Sequence, residues 1–193
     1  MRATAAHGGS STTDRSPYAA HAVTAVRLVA LPVFVWLAGR AAPTGSPLPG
    51  WFAGMVFAVA AASDVVDGRL ARRAGTASAA GRFFDHLADI GFILVALSAY
   101  VRLGLAPWWV PASIAASFAF YFVDSLRRTP RAPSLIGSRL GHWGGVANYV
   151  LIGVLVFNHS AGLEVLPPAV MMLLFLLVPL YSFGAIAARL LSR

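Results

Sequence analysis

The sequence predicts an all-α fold: a polytopic membrane protein built as a six-transmembrane-helix bundle. Three observations carry that prediction. First, 58% of the 193 residues are hydrophobic and only 11% charged, with a mean hydropathy of +0.72, where a soluble domain would be about 25% charged. Second, the apolar residues come in long continuous runs. Lipid admits only helices or closed barrels, and continuous rather than alternating runs select helices. Third, the arginines divide unevenly between the two sets of links that six spans create, as the positive-inside rule requires.

The elements follow in order. Residues 1–17 are polar and rich in Gly, Ser and Thr, and read as a disordered cytoplasmic tail. Residues 18–193 form the six-helix membrane domain. Six segments approach the roughly 20 apolar residues that a span needs: about 21–39, 49–70, 81–103, 107–126, 141–158 and 167–190. The links "AAPTGSPLP" and "NHSAGLEVLPP" carry turn residues. Twelve arginines, among them Arg72, Arg127, Arg139 and Arg189, fall on the side of the termini, and only Arg40 and Arg102 fall clearly opposite. The termini are therefore expected at the cytoplasmic face of a bacterial-type cell membrane. Trp51, Trp108 and Trp109 are expected as belt anchors at the outer face.

The net charge of +8 comes from arginine alone, because the chain has no lysine. These arginines lie between apolar segments rather than on one amphipathic surface, which argues against nucleic acid and for topology and anionic lipid or phosphate. With no cysteine, disulfides and thiolate metal sites are excluded.

Four of the seven acidic residues sit in "SDVVDGRLARRAGTASAAGRFFDHLADI", residues 63–90. On helices, Asp64 and Asp67 lie about 60° apart at the end of the second span. Asp85 and Asp89 lie one turn apart at the start of the third. Gly68 and Ala71 continue the first arc and Gly81 the second. Four bare carboxylates this close would repel and raise one another's pKa. A divalent metal cancels the charge, and oxygen-only ligands favour Mg²⁺, Mn²⁺ or Ca²⁺ over zinc. His86 adjoins Asp85 but points about 100° away from it. Small residues and Arg72 and Arg73 beside such a site suit a phosphate ester, in the manner of a nucleotide pyrophosphate.

At these residues the chain resembles the CDP-alcohol phosphotransferases, whose motif is D-x2-D-G-x2-A-R-x8-G-x3-D-x3-D. It stands complete here as Asp64, Asp67, Gly68, Ala71, Arg72, Gly81, Asp85 and Asp89. The resemblance implies a six-helix membrane bundle and two divalent cations, Mg²⁺ or Mn²⁺. Asp64, Asp67 and Asp85 would be metal ligands, with Asp89 near the second metal and acting as general base. Gly68, Ala71, Arg72 and Gly81 would line the CDP site. The implied reaction moves a phosphatidyl group from CDP-diacylglycerol to a polar alcohol and releases CMP, at the lipid bilayer. A homodimer is expected on the same basis.

The first span adds Thr24 and Arg27 at the family's spacing, with His21 where the family writes Asn. Arg27 also reads as a snorkelling helix-end residue. For the acceptor, Arg127, Arg128, Arg131 and Arg139 cluster between the fourth and fifth spans. They read either as topology determinants or, through Arg127, Arg131 and Arg139, as a pocket for an anionic alcohol. Asp124 is expected as the ion-pair partner of Arg127 and Arg128. "SRLGHWGGVANYV" is similar to the phosphatidylglycerophosphate synthase pattern L-G-K-x-K-T-x2-Q, but His142 and Gly144 stand where that pattern has lysines. Glycerol 3-phosphate is the expected acceptor, with inositol phosphate and phosphatidylglycerol as alternatives. A different class, a small cation or proton transporter using the Asp cluster, fits less well. Transporters place their acids nearer the membrane midplane, and these acids lie at span ends.

Overall fold

The computed structural model describes residues 29–41, 47–74, 79–128, 139–160 and 166–191; the side chains of 47, 64–85, 128, 139–142 and 160 fall outside that description. Six helices are described: α1 (Val29–Ala41), then α2 (Pro47–Ala74), α3 (Ala79–Arg102), α4 (Trp109–Arg128), α5 (Arg139–Leu155) and α6 (Pro168–Leu191). No strand occurs among the described residues. The expected tail and the start of the first span lie outside them.

Each predicted segment has its helix, and within the described residues two helices have a stretch that passes as a span. Trp109–Arg127 and Pro168–Leu191 are long and apolar enough to cross a membrane, whereas Val29–Ala41 and Leu48–Ser63 are shorter apolar stretches.

Aromatic residues hold the centre. Phe34 of α1 is fully buried, with ring centroids 6.4 Å from Phe57, 6.0 Å from Phe92 and 6.3 Å from Tyr100. Phe57 of α2, Phe92 of α3 and Tyr149 of α5 form a three-ring layer at 6.1–6.4 Å, with Phe92 and Tyr149 stacked. Rings separated by these distances gain beyond their burial. Outside this centre the surface of α6 is apolar, with Leu173, Leu176, Leu180 and Phe183 all exposed. A helix in a water-soluble bundle would present polar residues there.

Three local devices set the element ends. After α3, Gly104 takes a positive φ of 72°. The Leu105 amide bonds the Tyr100 carbonyl at 2.9 Å and the Gly104 amide bonds that of Val101 at 3.0 Å. This paired pattern closes a helix on a left-handed glycine. At the end of α5 the chain departs from the expected link: Val156–Ser160 winds on as a π-helix packed against α2. Asn158, buried there, accepts the Leu166 amide at 2.8 Å across the connection. Gly54 and Gly153 permit the close fit, since a Cβ at either would lie 3.3–3.4 Å from Val156 or Phe57. Trp51 and Trp108 are exposed as belt residues should be, but Trp109 departs from that role and packs partly buried against the core.

Candidate active site

The chain direction alternates along the bundle, and described contacts show which helix ends meet. His86, near the start of α3, lies 5.6 Å from Phe118 and 6.3 Å from Tyr121, late in α4. Late α4 in turn meets late α6: Arg189 Nε donates to Asp124 Oδ2 at 2.5 Å. Gly144, early in α5, lies against Tyr181 in the C-terminal half of α6. The end of α2, the start of α3, the end of α4, the start of α5 and the end of α6 therefore share one end of the bundle.

That end carries the motif. Asp64, Asp67, Gly68, Ala71 and Arg72 lie in the last turns of α2, and Gly81, Asp85 and Asp89 in the first turns of α3. Of the four carboxylates only Asp89 has a described side chain, and it is partly buried. Helix register relates the others to the three-ring layer. Asp64 is seven residues beyond Phe57 and Asp85 seven residues before Phe92. Seven residues are about two turns, close to 10 Å, and return to nearly the same face. Backbone register thus places positions 64 and 85 at one level of the bundle, toward the shared end. Position 142 of α5 is seven residues before Tyr149 and joins the same level. That heptad relation was available in the sequence, but only the ring contacts say which faces meet.

The acceptor residues divide. Arg127 lies exposed in the last turn of α4. Arg139 is the first residue of α5, its side chain outside the description. Thr24, Arg27 and Arg131 lie outside the described residues. Asp124 has a partner that sequence did not suggest. It is 3% exposed and bonds Arg189, sixty-five positions on. Arg189 also donates to Ser125 Oγ at 3.3 Å and lies 4.2 Å above the Tyr121 ring. It is thus no loose topology charge. The signal for this pair was an acid inside an apolar helix, which demands a cation. Spacing along the chain favours Arg127 and Arg128, and cannot rank a residue from another helix.

Gly144 is the other position with a meaning sequence could not supply. A Cβ there would lie 2.8 Å from Tyr181 Cε1. The tyrosine ring fills the place of a side chain. Gly144→Ala should displace that ring and lower stability by about 1–3 kcal/mol, read as a fall in melting temperature in detergent. An unchanged melting temperature would show that the ring moves aside freely.

An all-helical chain with the complete aspartate motif on two consecutive helices has the pattern of a phosphatidyltransferase. The chain belongs to the CDP-alcohol phosphatidyltransferase family, whose description matches residues 18–188. A protein named as a probable phosphatidylglycerophosphate synthase from Mycobacterium tuberculosis is 32% identical over 177 residues, 89% of this chain and 81% of that one. A CMP-forming cardiolipin synthase from Streptomyces coelicolor is 34% identical over 111 residues, 58% of this chain. A CDP-diacylglycerol–glycerol-3-phosphate 3-phosphatidyltransferase from Cereibacter sphaeroides is 32% identical over 121 residues, 61% of this chain. The matched regions span about half the length of the last two, 51% and 54%.

Proposed function

We propose that this chain transfers a phosphatidyl group from CDP-diacylglycerol to a polar alcohol, with glycerol 3-phosphate as acceptor, releasing CMP for phospholipid synthesis. The observation that carries the reading is the complete motif at the adjoining ends of α2 and α3. The names of the Mycobacterium and Cereibacter relatives support the acceptor. In this reading all six helices cross the bilayer, which the exposed apolar face of α6 supports. The termini and the motif lie at the cytoplasmic surface, where the arginines gather.

The donor set fits a pair of hard divalent cations. It is all oxygen, it is carried on two helices, and nothing in the chain supplies a thiolate. Asp64, Asp67, Asp85 and Asp89 would hold them. Bound Mg²⁺ or Mn²⁺ supplies neutralisation of the pyrophosphate and polarisation of its phosphoryl oxygens. The chain's own residues do the rest. Gly68, Ala71 and Gly81 leave room for the CDP group beside the backbone, and Arg72 holds phosphate charge. Asp89 accepts the proton of the acceptor hydroxyl. The resulting oxygen attacks the lipid-bearing phosphorus, and the bond to CMP breaks. Holding donor and acceptor at adjoining helix ends supplies much of the rate.

A second acceptor, phosphatidylglycerol, is favoured by one contact. Tyr181 occupies the place beside Gly144 where the glycerol 3-phosphate pattern has a lysine. The experiment supplies purified chain with CDP-diacylglycerol, Mn²⁺ and each alcohol, and follows CMP. Release with glycerol 3-phosphate supports the first acceptor, and release with phosphatidylglycerol alone replaces it. Arg139→Ala should raise the KM for glycerol 3-phosphate about tenfold or more, as loss of a charged hydrogen bond does, with the KM for CDP-diacylglycerol little changed. An unchanged acceptor KM would return Arg139 to a topological role.

A further inference from the structure

Helix α3 carries Asp85 and Asp89, and its rotation about its own axis decides where they aim. A rotation of about 20° moves a group about 5 Å from a helix axis by about 2 Å. Beside the motif stripe, about 60° round the helix from Asp89, His86 meets α4. Its ring enters a slot on α4 between Phe118, at 5.6 Å, and Tyr121, at 6.3 Å. Tyr121 is itself covered by the Arg189 guanidinium, 4.2 Å above the ring. Arg189 is held in turn by Asp124 Oδ2 at 2.5 Å and Ser125 Oγ at 3.3 Å. Asp124 and Ser125 are each 3% exposed. A continuous set of contacts thus runs from α6 through α4 to the residue beside Asp85.

Stability alone does not explain this set. Burying two charges costs much of what their attraction returns, and apolar residues of similar volume are often as stable in their place. A fixed ion pair does give α4 and α6 one relative setting, and a ring gripped between aromatic neighbours adds, at the motif end of α3, to the core contacts of Phe92 that set its rotation.

We propose that Asp124, Ser125, Arg189 and Tyr121 form a positioning device that holds His86 and thereby fixes the setting of the α3 turns that carry Asp85 and Asp89. This rests on the reading of Asp85 as a metal ligand and Asp89 as the base. In this proposal His86 acts through the helix, as a positioning residue.

The test uses the full chain and two readouts, steady-state CMP release and Mn²⁺ affinity followed by electron paramagnetic resonance. His86→Ala is expected to lower kcat about 10- to 100-fold and to weaken Mn²⁺ about 10-fold, with the KM for CDP-diacylglycerol nearly unchanged. His86→Phe keeps a ring in the slot and should recover most of both. The double variant Asp124→Leu with Arg189→Met should keep its melting temperature yet show the same losses. A merely structural role would not separate kcat and Mn²⁺ affinity from stability in this way.

Wild-type kcat and Mn²⁺ affinity in His86→Ala, or in a stable double variant, would overturn the proposal. Should the double variant not fold, the two His86 variants decide. A wild-type chain that binds Mn²⁺ but releases no CMP would sink the transferase reading, and the Mn²⁺ arm would still judge the device. A wild-type chain that does neither sinks both.

Discussion

Asp89→Asn is expected to cut kcat for CMP release about 10²- to 10⁴-fold, the range that a positioned general base contributes. The substitution keeps the shape of the side chain and removes its capacity to take a proton. Asp89 lies partly buried one turn before Phe92, so its helix is anchored in the three-ring layer. The loss should therefore appear in kcat, with CDP-diacylglycerol binding spared and the melting temperature unchanged. The measurement is CMP release in parallel with binding of the nucleotide lipid. Activity within a few-fold of wild type would remove Asp89 as the base.

Phe34→Ala is expected to destabilise the bundle by about 3–5 kcal/mol. Phe34 is fully buried and meets rings from α2 and α3. Its removal leaves a cavity that three rigid neighbours cannot fill by rotamer change. The effect should reach the site, because Phe57 and Phe92 also anchor the helices that bear the aspartates. Thermal unfolding in detergent, followed by tryptophan fluorescence, would show a large fall in midpoint. A shift of no more than a degree or two would mean that the layer repacks without Phe34.

Much of this was legible in the residues themselves. The helical runs follow from hydropathy, and the end of α3 falls where "RLGLAP" places glycine and proline. The motif aspartates are legible because charge is so rare in this chain that any cluster of it needs a chemical reason. His86 shows the same logic on a smaller scale. Its predicted angle of about 100° from Asp85 agrees with a ring turned toward Phe118 and Tyr121.

What sequence could not supply is pairing between helices. Asp124 has two arginines within four residues, yet its bond to Arg189 depends on how α4 lies along α6. Gly144 reads as a lost side chain until Tyr181 is seen to fill its place. The π-helix at Val156–Ser160 straddles the expected end of the fifth span and the start of the link, and its contacts with α2 and the Asn158 bond to Leu166 lie beyond the reach of local pattern. In each case the deciding partner lies on another element or across a connection, where local propensity has no information.

The central claim is that the paired aspartates of α2 and α3 make a divalent-metal site for CDP-linked lipid. The most direct measurement is CMP release from CDP-diacylglycerol by the purified chain at increasing Mn²⁺, for wild type and for Asp64→Asn, Asp67→Asn and Asp85→Asn. The account predicts saturable, chelator-sensitive release in wild type and its loss in each variant. Wild-type release that persists in excess chelator, or survives in all three variants, would contradict it.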